Sequence, residues 1–233
     1  MESHTQIVEL FGVPACGKST IAEYIIQNIL LDNVGGKVDM YKDFKIAGLL
    51  KKILSFSLSS FIAGERFLHL FTMNEQRRVL RKSIFLKAAW CRNYQRKYGS
   101  YNCIISDHGI IQDFVTWERG ESFENNQVFE NKILKYLQNE RDVIFVFCNI
   151  DTNIAFERLS YRKRSKGRLD EMLNNDRVQL MHEFKQEKNR FMDLYKILKS
   201  NNFKVAIIDT SYTVEQNVNN LIDAINRYKY EHI

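Results

Sequence analysis

The sequence predicts an α/β protein of three layers, with a central parallel sheet of about five strands and helices on both faces. Three observations predict it. Short apolar runs rich in strand formers alternate with segments of helical periodicity. The first run passes through a glycine-rich loop, GVPACGKST at 12–20, directly into a helical pattern. Several runs end at or near an aspartate, on the edge where ligands of parallel sheets bind.

Each element follows from its own residues. Ile7, Val8, Leu10 and Phe11 make the first strand, and Ile21, Ile25 and Ile29, flanked by Ala22 and Ile26, mark one face of the helix after the loop. Residues 37–40 predict a short strand after Gly35-Gly36. Residues 103–106 predict one ending at Asp107, 143–148 (VIFVFC) one ending near Asp151, and 203–208 one ending at Asp209. The helices between them are marked by Val79, Ile84, Ala88 and Cys91, opened by a Thr72…Glu75 capping box; by Phe129, Ile133 and Leu137; and by Leu180, Phe184, Phe191, Leu194 and Leu198. A last helix is expected after Thr213, with Gln216 as its capping-box partner, through Val218, Leu221, Ile222 and Ile225.

Composition sets the class. The 233 residues suit one large domain, and a single proline with ten glycines leaves no linker-like stretch. No internal repeat or low-complexity tract is seen. The 34 basic and 28 acidic residues balance to +6, which suits a soluble protein with anionic partners and does not single out nucleic acid. Cys16, Cys91, Cys103 and Cys148 form no CxxC pair and no zinc spacing, so they read as reduced thiols of a cytoplasmic protein. No signal peptide is expected, because MESHTQIVEL has no apolar stretch after a basic start.

The loop matches GxxxxGK[ST] in its required strand–loop–helix context. Its backbone N–H groups converge on phosphate oxygens, and the helix N-terminus adds partial positive charge. Gly12, Pro14, Ala15, Cys16, Gly17, Lys18, Ser19 and Thr20 are therefore expected to hold a nucleoside triphosphate, ATP. Lys18 would reach the terminal phosphates and Ser19 would place its hydroxyl on Mg²⁺. Cys16 reads as a small side chain filling a tight loop in preference to a reactive thiol. A guanine-binding NKxD motif is absent, since Asn131-Lys132 is followed by Ile133-Leu134; no LSGGQ is present, and the chain is short for an AAA module.

A second segment points to group transfer. Six of the eleven residues from 158 to 168 are basic, after the fourth strand and before a long helix. Phosphoryl transfer concentrates charge on the equatorial oxygens, so a cationic lid at about 158–172 would stabilise it and exclude water.

On these stretches, with IISDHGIIQDF and VAIIDTSYTVEQNVNNLIDAI, the chain resembles the thymidylate kinase and deoxynucleoside kinase group of P-loop kinases. The resemblance is anchored across most of the chain. It implies a P-loop NTPase sandwich with an arginine-rich lid and transfer of the ATP γ-phosphate to a nucleoside or nucleotide. Arg158, Arg162, Arg164 and Arg168 would be lid cations, with Arg162 and Arg168 catalytic. Asp209, Thr210 and Ser211 would lie near the adenine. Asp107 would serve Mg²⁺ or orient the acceptor oxygen, and Gln112 would touch the acceptor base. The chain departs from the group at three places: Asp107-His108 replaces Asp-Arg, Asp170-Glu171 replaces a lid Asp-Arg, and Phe11 replaces a glutamate before the first loop glycine. His108 stands where the group's phosphate-holding arginine would be.

The acceptor side is expected in a helical insertion at about 43–98. Arg77 and Arg78 sit near a helix start, where a cation is unfavourable to the dipole and an anionic partner is suggested. Trp117 would stack on a substrate. The apolar stretch 44–71 reads as a pocket wall or a protein interface, including a homodimer face, ahead of a lipid-contacting helix. A small-molecule acceptor and no nucleic acid are expected. Other readings are a kinase of a sugar or another polar metabolite, and a nucleotide-switched binding protein without transfer. Fold alone does not choose among them.

Overall fold

The computed structural model describes residues 6–28, 34–37, 103–107, 109, 111, 112, 115, 130, 131, 133, 134, 137, 142–161 and 176–230. Five strands form one sheet in the order β2-β3-β1-β4-β5. They are β1 (Gln6–Phe11), β2 (Val34–Lys37), β3 (Cys103–Ser106), β4 (Val143–Asn149) and β5 (Val205–Asp209). The pairs β1/β3, β2/β3 and β4/β5 are parallel. Four helices are described: α1 (Lys18–Asn28), α2 (Thr152–Ser160), α3 (Arg177–Ser200) and α4 (Val214–Tyr230). The expected α/β class and strand count are met. None of these helices is long and apolar enough to cross a membrane.

The chain forms two compact units: Met1–Glu9 with Leu30–Val143, and Leu10–Ile29 with Ile144–Ile233. In the first, Glu9 pairs with Ser106 and Gln6 with Cys103, so β1 and β3 run in step. Residues 130, 131, 133, 134 and 137 are helical, with Ile133 and Leu137 buried. That is the periodicity expected from Phe129, Ile133 and Leu137.

Every residue of β4 from Val143 to Cys148 is buried. Successive side chains of a strand point to opposite faces, so β4 is covered on both. Its aromatic residues organise the core. Phe11 stacks on Phe147 with ring centroids 5.3 Å apart and meets Phe191 at 5.9 Å. Phe191 belongs to the buried stripe of α3, Leu180, Phe184, Glu187, Phe191, Leu194 and Leu198, which recurs at the spacing of one helix face. At its start the Asp176 carboxylate accepts the Gln179 N–H at 2.9 Å.

Two strand boundaries differ from expectation, one with a clear cause. The strand expected at 203–208 begins at Val205. Helix α3 ends in a Schellman motif: the Phe203 N–H bonds to Leu198 O at 3.0 Å and the Asn202 N–H to Lys199 O at 3.3 Å. Asn202 takes the left-handed conformation this needs, φ 58°. Phe203 is thus committed to the helix end and cannot start the ladder. The strand expected at 37–40 is β2, which includes both glycines and ends at Lys37; 38–40 lie outside the described residues. The Thr213–Gln216 box forms as expected, with the Gln216 N–H bonding to Thr213 Oγ1 at 3.4 Å and the Thr213 N–H to Gln216 Oε1 at 3.3 Å. The insertion at 43–98, the Thr72…Glu75 box and most of the lid lie outside the described residues.

Phe11 is fully buried against two rings. Phe11→Ala is expected to lower unfolding free energy by about 3–5 kcal/mol through lost burial and a residual cavity, measured by urea denaturation.

Candidate functional site

The loop after β1 leaves the strand through Gly12 at φ 147°. A Cβ there would lie 2.6 Å from Cys148 O and 3.1 Å from Cys16 Sγ, so only glycine fits. The Cys16 N–H then bonds to Val13 O at 3.4 Å, with Pro14 and Ala15 in the turn. Ala15 takes φ 62° and Gly17 φ 98°. A non-glycine residue in that region costs energy and commonly marks a functional loop. The Ile21 N–H bonds to Gly17 O at 2.9 Å, which makes Gly17 the residue from which α1 starts. The first backbone N–H groups of α1 thus have no partner within their own helix, and Ser19 and Thr20 beside them are exposed.

Lys18 folds back over this loop. Its ammonium donates to Gly12 O at 2.8 Å, to Val13 O at 3.0 Å and to Cys16 Sγ at 3.3 Å. A lysine ammonium has three protons, and this cradle provides three acceptors. The cation is held in the mouth of a loop of N–H donors, the arrangement that receives an anionic phosphate chain.

Cys16 is fully buried, as the reading of it as a filler of the tight loop requires. Its surroundings are not those of an inert thiol. Burial pushes its pKa up, but the hydrogen bond from Cys148 and the Lys18 charge outweigh that and hold it at about 6. The Cys148 thiol, hydrogen-bonded to Cys16 and buried, is pushed well up.

Arg158 joins this loop to the end of β5. It lies in the last turn of α2, and its Nη1 is 3.8 Å from where a Cβ of Gly17 would stand. The same guanidinium donates to Thr210 O at 3.0 Å and Ser211 O at 3.4 Å. Thr210 is itself fixed, its N–H and hydroxyl both bonding to Asn149 O at 2.8 and 3.0 Å. Loop, α2 and the β5–α4 turn therefore meet at one cation. Asp209 is exposed, and its carboxylate accepts the Ser211 N–H at 2.9 Å.

The first unit holds the residues expected on the acceptor side. Asp107 follows β3 and is buried, as is Gln112. The segment after Asp107 is fixed by Glu9, a buried carboxylate of β1 that accepts the Ile111 N–H at 2.7 Å. A Cβ on Gly109 would collide with the Glu9 side chain. Sequence reading missed Glu9, although a lone carboxylate inside the apolar run Ile7, Val8, Leu10, Phe11 was a visible signal. Cys148 was missed because nothing in the sequence ties it to Cys16. Arg77, Arg78, His108, Trp117, Arg162, Arg164 and Arg168 lie outside the described residues.

No family model and no curated protein matches the chain. Solved structures do. Thymidylate kinase from Candida albicans is 17% identical, with 97% of this chain and 93% of that one covered and a TM-score of 0.51. A deoxyadenosine kinase from M. mycoides, solved with bound dCTP, is 16% identical, with 95% and 99% covered and a TM-score of 0.50. The chain shares its fold with these two proteins. Phe11 stands where the resemblance implies a glutamate, and its place is in the aromatic core, where a carboxylate would be buried between Phe147 and Phe191.

Two expectations follow from the local electrostatics. Asp151 caps α2, accepting the Asn153 N–H at 2.8 Å, and this backbone bond holds its carboxyl below the ordinary value. A depressed carboxyl contributes stability above its unfolded pKa, about 3.9, and loses it as pH falls through the lower folded value. The difference in melting temperature between the parent and Asp151→Ala should therefore be full at neutral pH and shrink below about pH 4. Arg158→Ala should loosen the Thr210–Ser211 turn, measured as faster amide hydrogen exchange at Thr210 and Ser211.

Proposed function

We propose that the chain is an ATP-dependent phosphotransferase that moves the γ-phosphate to a small acceptor, a nucleoside or nucleotide. The observation that carries this reading is Lys18 held across the mouth of the loop at 12–20, ahead of the open N-terminus of α1. The P-loop kinase fold supports it.

In this reading the backbone N–H groups of 12–20 cradle the phosphates. Lys18 exchanges its loop carbonyls for phosphate oxygens and neutralises charge as the γ-phosphoryl leaves. Arg158 adds a second cation beside Gly17, and Arg162, Arg164 and Arg168 close over the transferred group. Asp209, Thr210 and Ser211 border the base. Ser19, with its exposed hydroxyl, would hold Mg²⁺. Among the described residues no three His, Cys, Asp or Glu side chains converge on a metal, so phosphate and water oxygens would complete the shell. Bound there, the ion would supply charge neutralisation between phosphates.

Asp107 orients the acceptor oxygen and takes its proton, with Glu9 and Gly109 fixing the segment that follows. Gln112, Arg77, Arg78, His108 and Trp117 would contact the acceptor. With His108 where the group has arginine, a nucleoside without a phosphate is the preferred acceptor. Transfer then rests on positioning and charge stabilisation.

A screen of ATP consumption over nucleosides, nucleoside monophosphates and sugars tests the reading. Nucleoside-dependent turnover is expected; ATP binding without any acceptor-dependent turnover would favour a nucleotide-switched binding protein instead. Asp107→Asn is expected to lower kcat by a factor of about 10²–10⁴ with the Kd for ATP unchanged. Lys18→Ala is expected to lose both, read by calorimetry and turnover.

A further inference from the structure

We propose that Cys16 and Cys148 form a site of covalent modification: a small hydroperoxide closes them into an intramolecular disulfide that disables the loop for phosphate. The effect on phosphate rests on the function proposed above; the disulfide itself does not.

Two contacts set the place. The backbone of Cys148 and the Cys16 sulfur both crowd the bare face of Gly12, where a Cβ would meet Cys148 O at 2.6 Å and Cys16 Sγ at 3.1 Å. Lys18 Nζ stands 3.3 Å from the Cys16 sulfur. The coupling between the two thiols, which lowers the Cys16 pKa and raises that of Cys148, agrees with this placement. An ammonium and an S–H donor directed at one sulfur stabilise its thiolate, the form that reacts. The neighbouring thiol keeps its proton and is in place to resolve the first product.

The chemistry balances. The Cys16 thiolate attacks one oxygen of hydrogen peroxide; an S–O bond forms, the O–O bond breaks, and hydroxide leaves and is protonated to water. The Cys148 sulfur then attacks the sulfenic sulfur. An S–S bond forms, the S–O bond breaks, and the oxygen leaves as water with the Cys148 proton. Two thiols and one peroxide become one disulfide and two waters. Both thiols are fully buried, so the oxidant must be of about the size of water. The half-buried Lys18 lies directly against Cys16.

Closure changes the loop in two ways. It removes the thiolate charge facing Lys18. It also draws the sulfurs to about 2.05 Å, pulling Cys16 toward β4. Cys16 sits between Ala15 at φ 62° and Gly17 at φ 98°, so its displacement moves the backbone N–H groups on either side of it.

The test uses the full chain, reduced and then treated with hydrogen peroxide. Free thiols are counted, and the unreduced digest is mapped by mass spectrometry. Loss of two thiols and a peptide linking Cys16 to Cys148 is expected. The Kd for ATP should rise at least about tenfold and recover with dithiothreitol. Cys148→Ser, or Cys148→Ala if the serine variant folds poorly by circular dichroism, should form no such link and show no dithiothreitol-reversible loss. Unchanged thiols, or links only to Cys91 or Cys103, overturn the site. A Cys16–Cys148 link that leaves ATP affinity intact overturns the disabling effect. Reduced protein that binds no ATP at all would refute the nucleotide reading, while the peptide map still decides the disulfide.

Discussion

The passage of Gly12 across the carbonyl of Cys148 is the contact on which the loop at 12–20 depends. Phe11 is locked immediately before it in a stack with Phe147 and Phe191. The chain must therefore turn within one residue, beside a β4 backbone that leaves no room for a side chain. The left-handed conformations at Ala15 and Gly17 continue that turn and deliver the chain into α1. A rigid aromatic core thus sets the attitude of the loop.

Around that loop several side chains hold the scaffold. Asp151 and Asp209, both at strand ends, use their carboxylates on nearby backbone N–H groups. Arg158 bridges two regions, because its planar fork reaches two carbonyls while its edge stays beside Gly17. Among the described residues Lys18 bonds to loop atoms, which a phosphate chain would replace in the function proposed above. The group most easily exchanged is therefore the one at the mouth.

In the other unit, a buried carboxyl group helps order the segment after β3. Glu9 gives the Ile111 N–H a partner inside the protein, where an unmet donor would cost about 1–3 kcal/mol. Asp107 follows directly on a paired strand. That anchoring suits the role proposed for it above.

The sequence by itself determined the alternation of strands and helices, the loop and its lysine, the β3–Asp107 junction, and the capping box of α4. These depend on periodicity and on bonds between near neighbours, which a one-dimensional pattern carries. Only the tertiary structure decided that Phe203 closes a helix instead of opening a strand, that Phe11 belongs to an aromatic stack, that Glu9 braces the segment after Asp107, and that Cys148 meets Cys16 and Lys18. Each of these depends on which residues distant in the chain become neighbours. Hydrophobic periodicity says that a side chain is buried, but not what it is buried against.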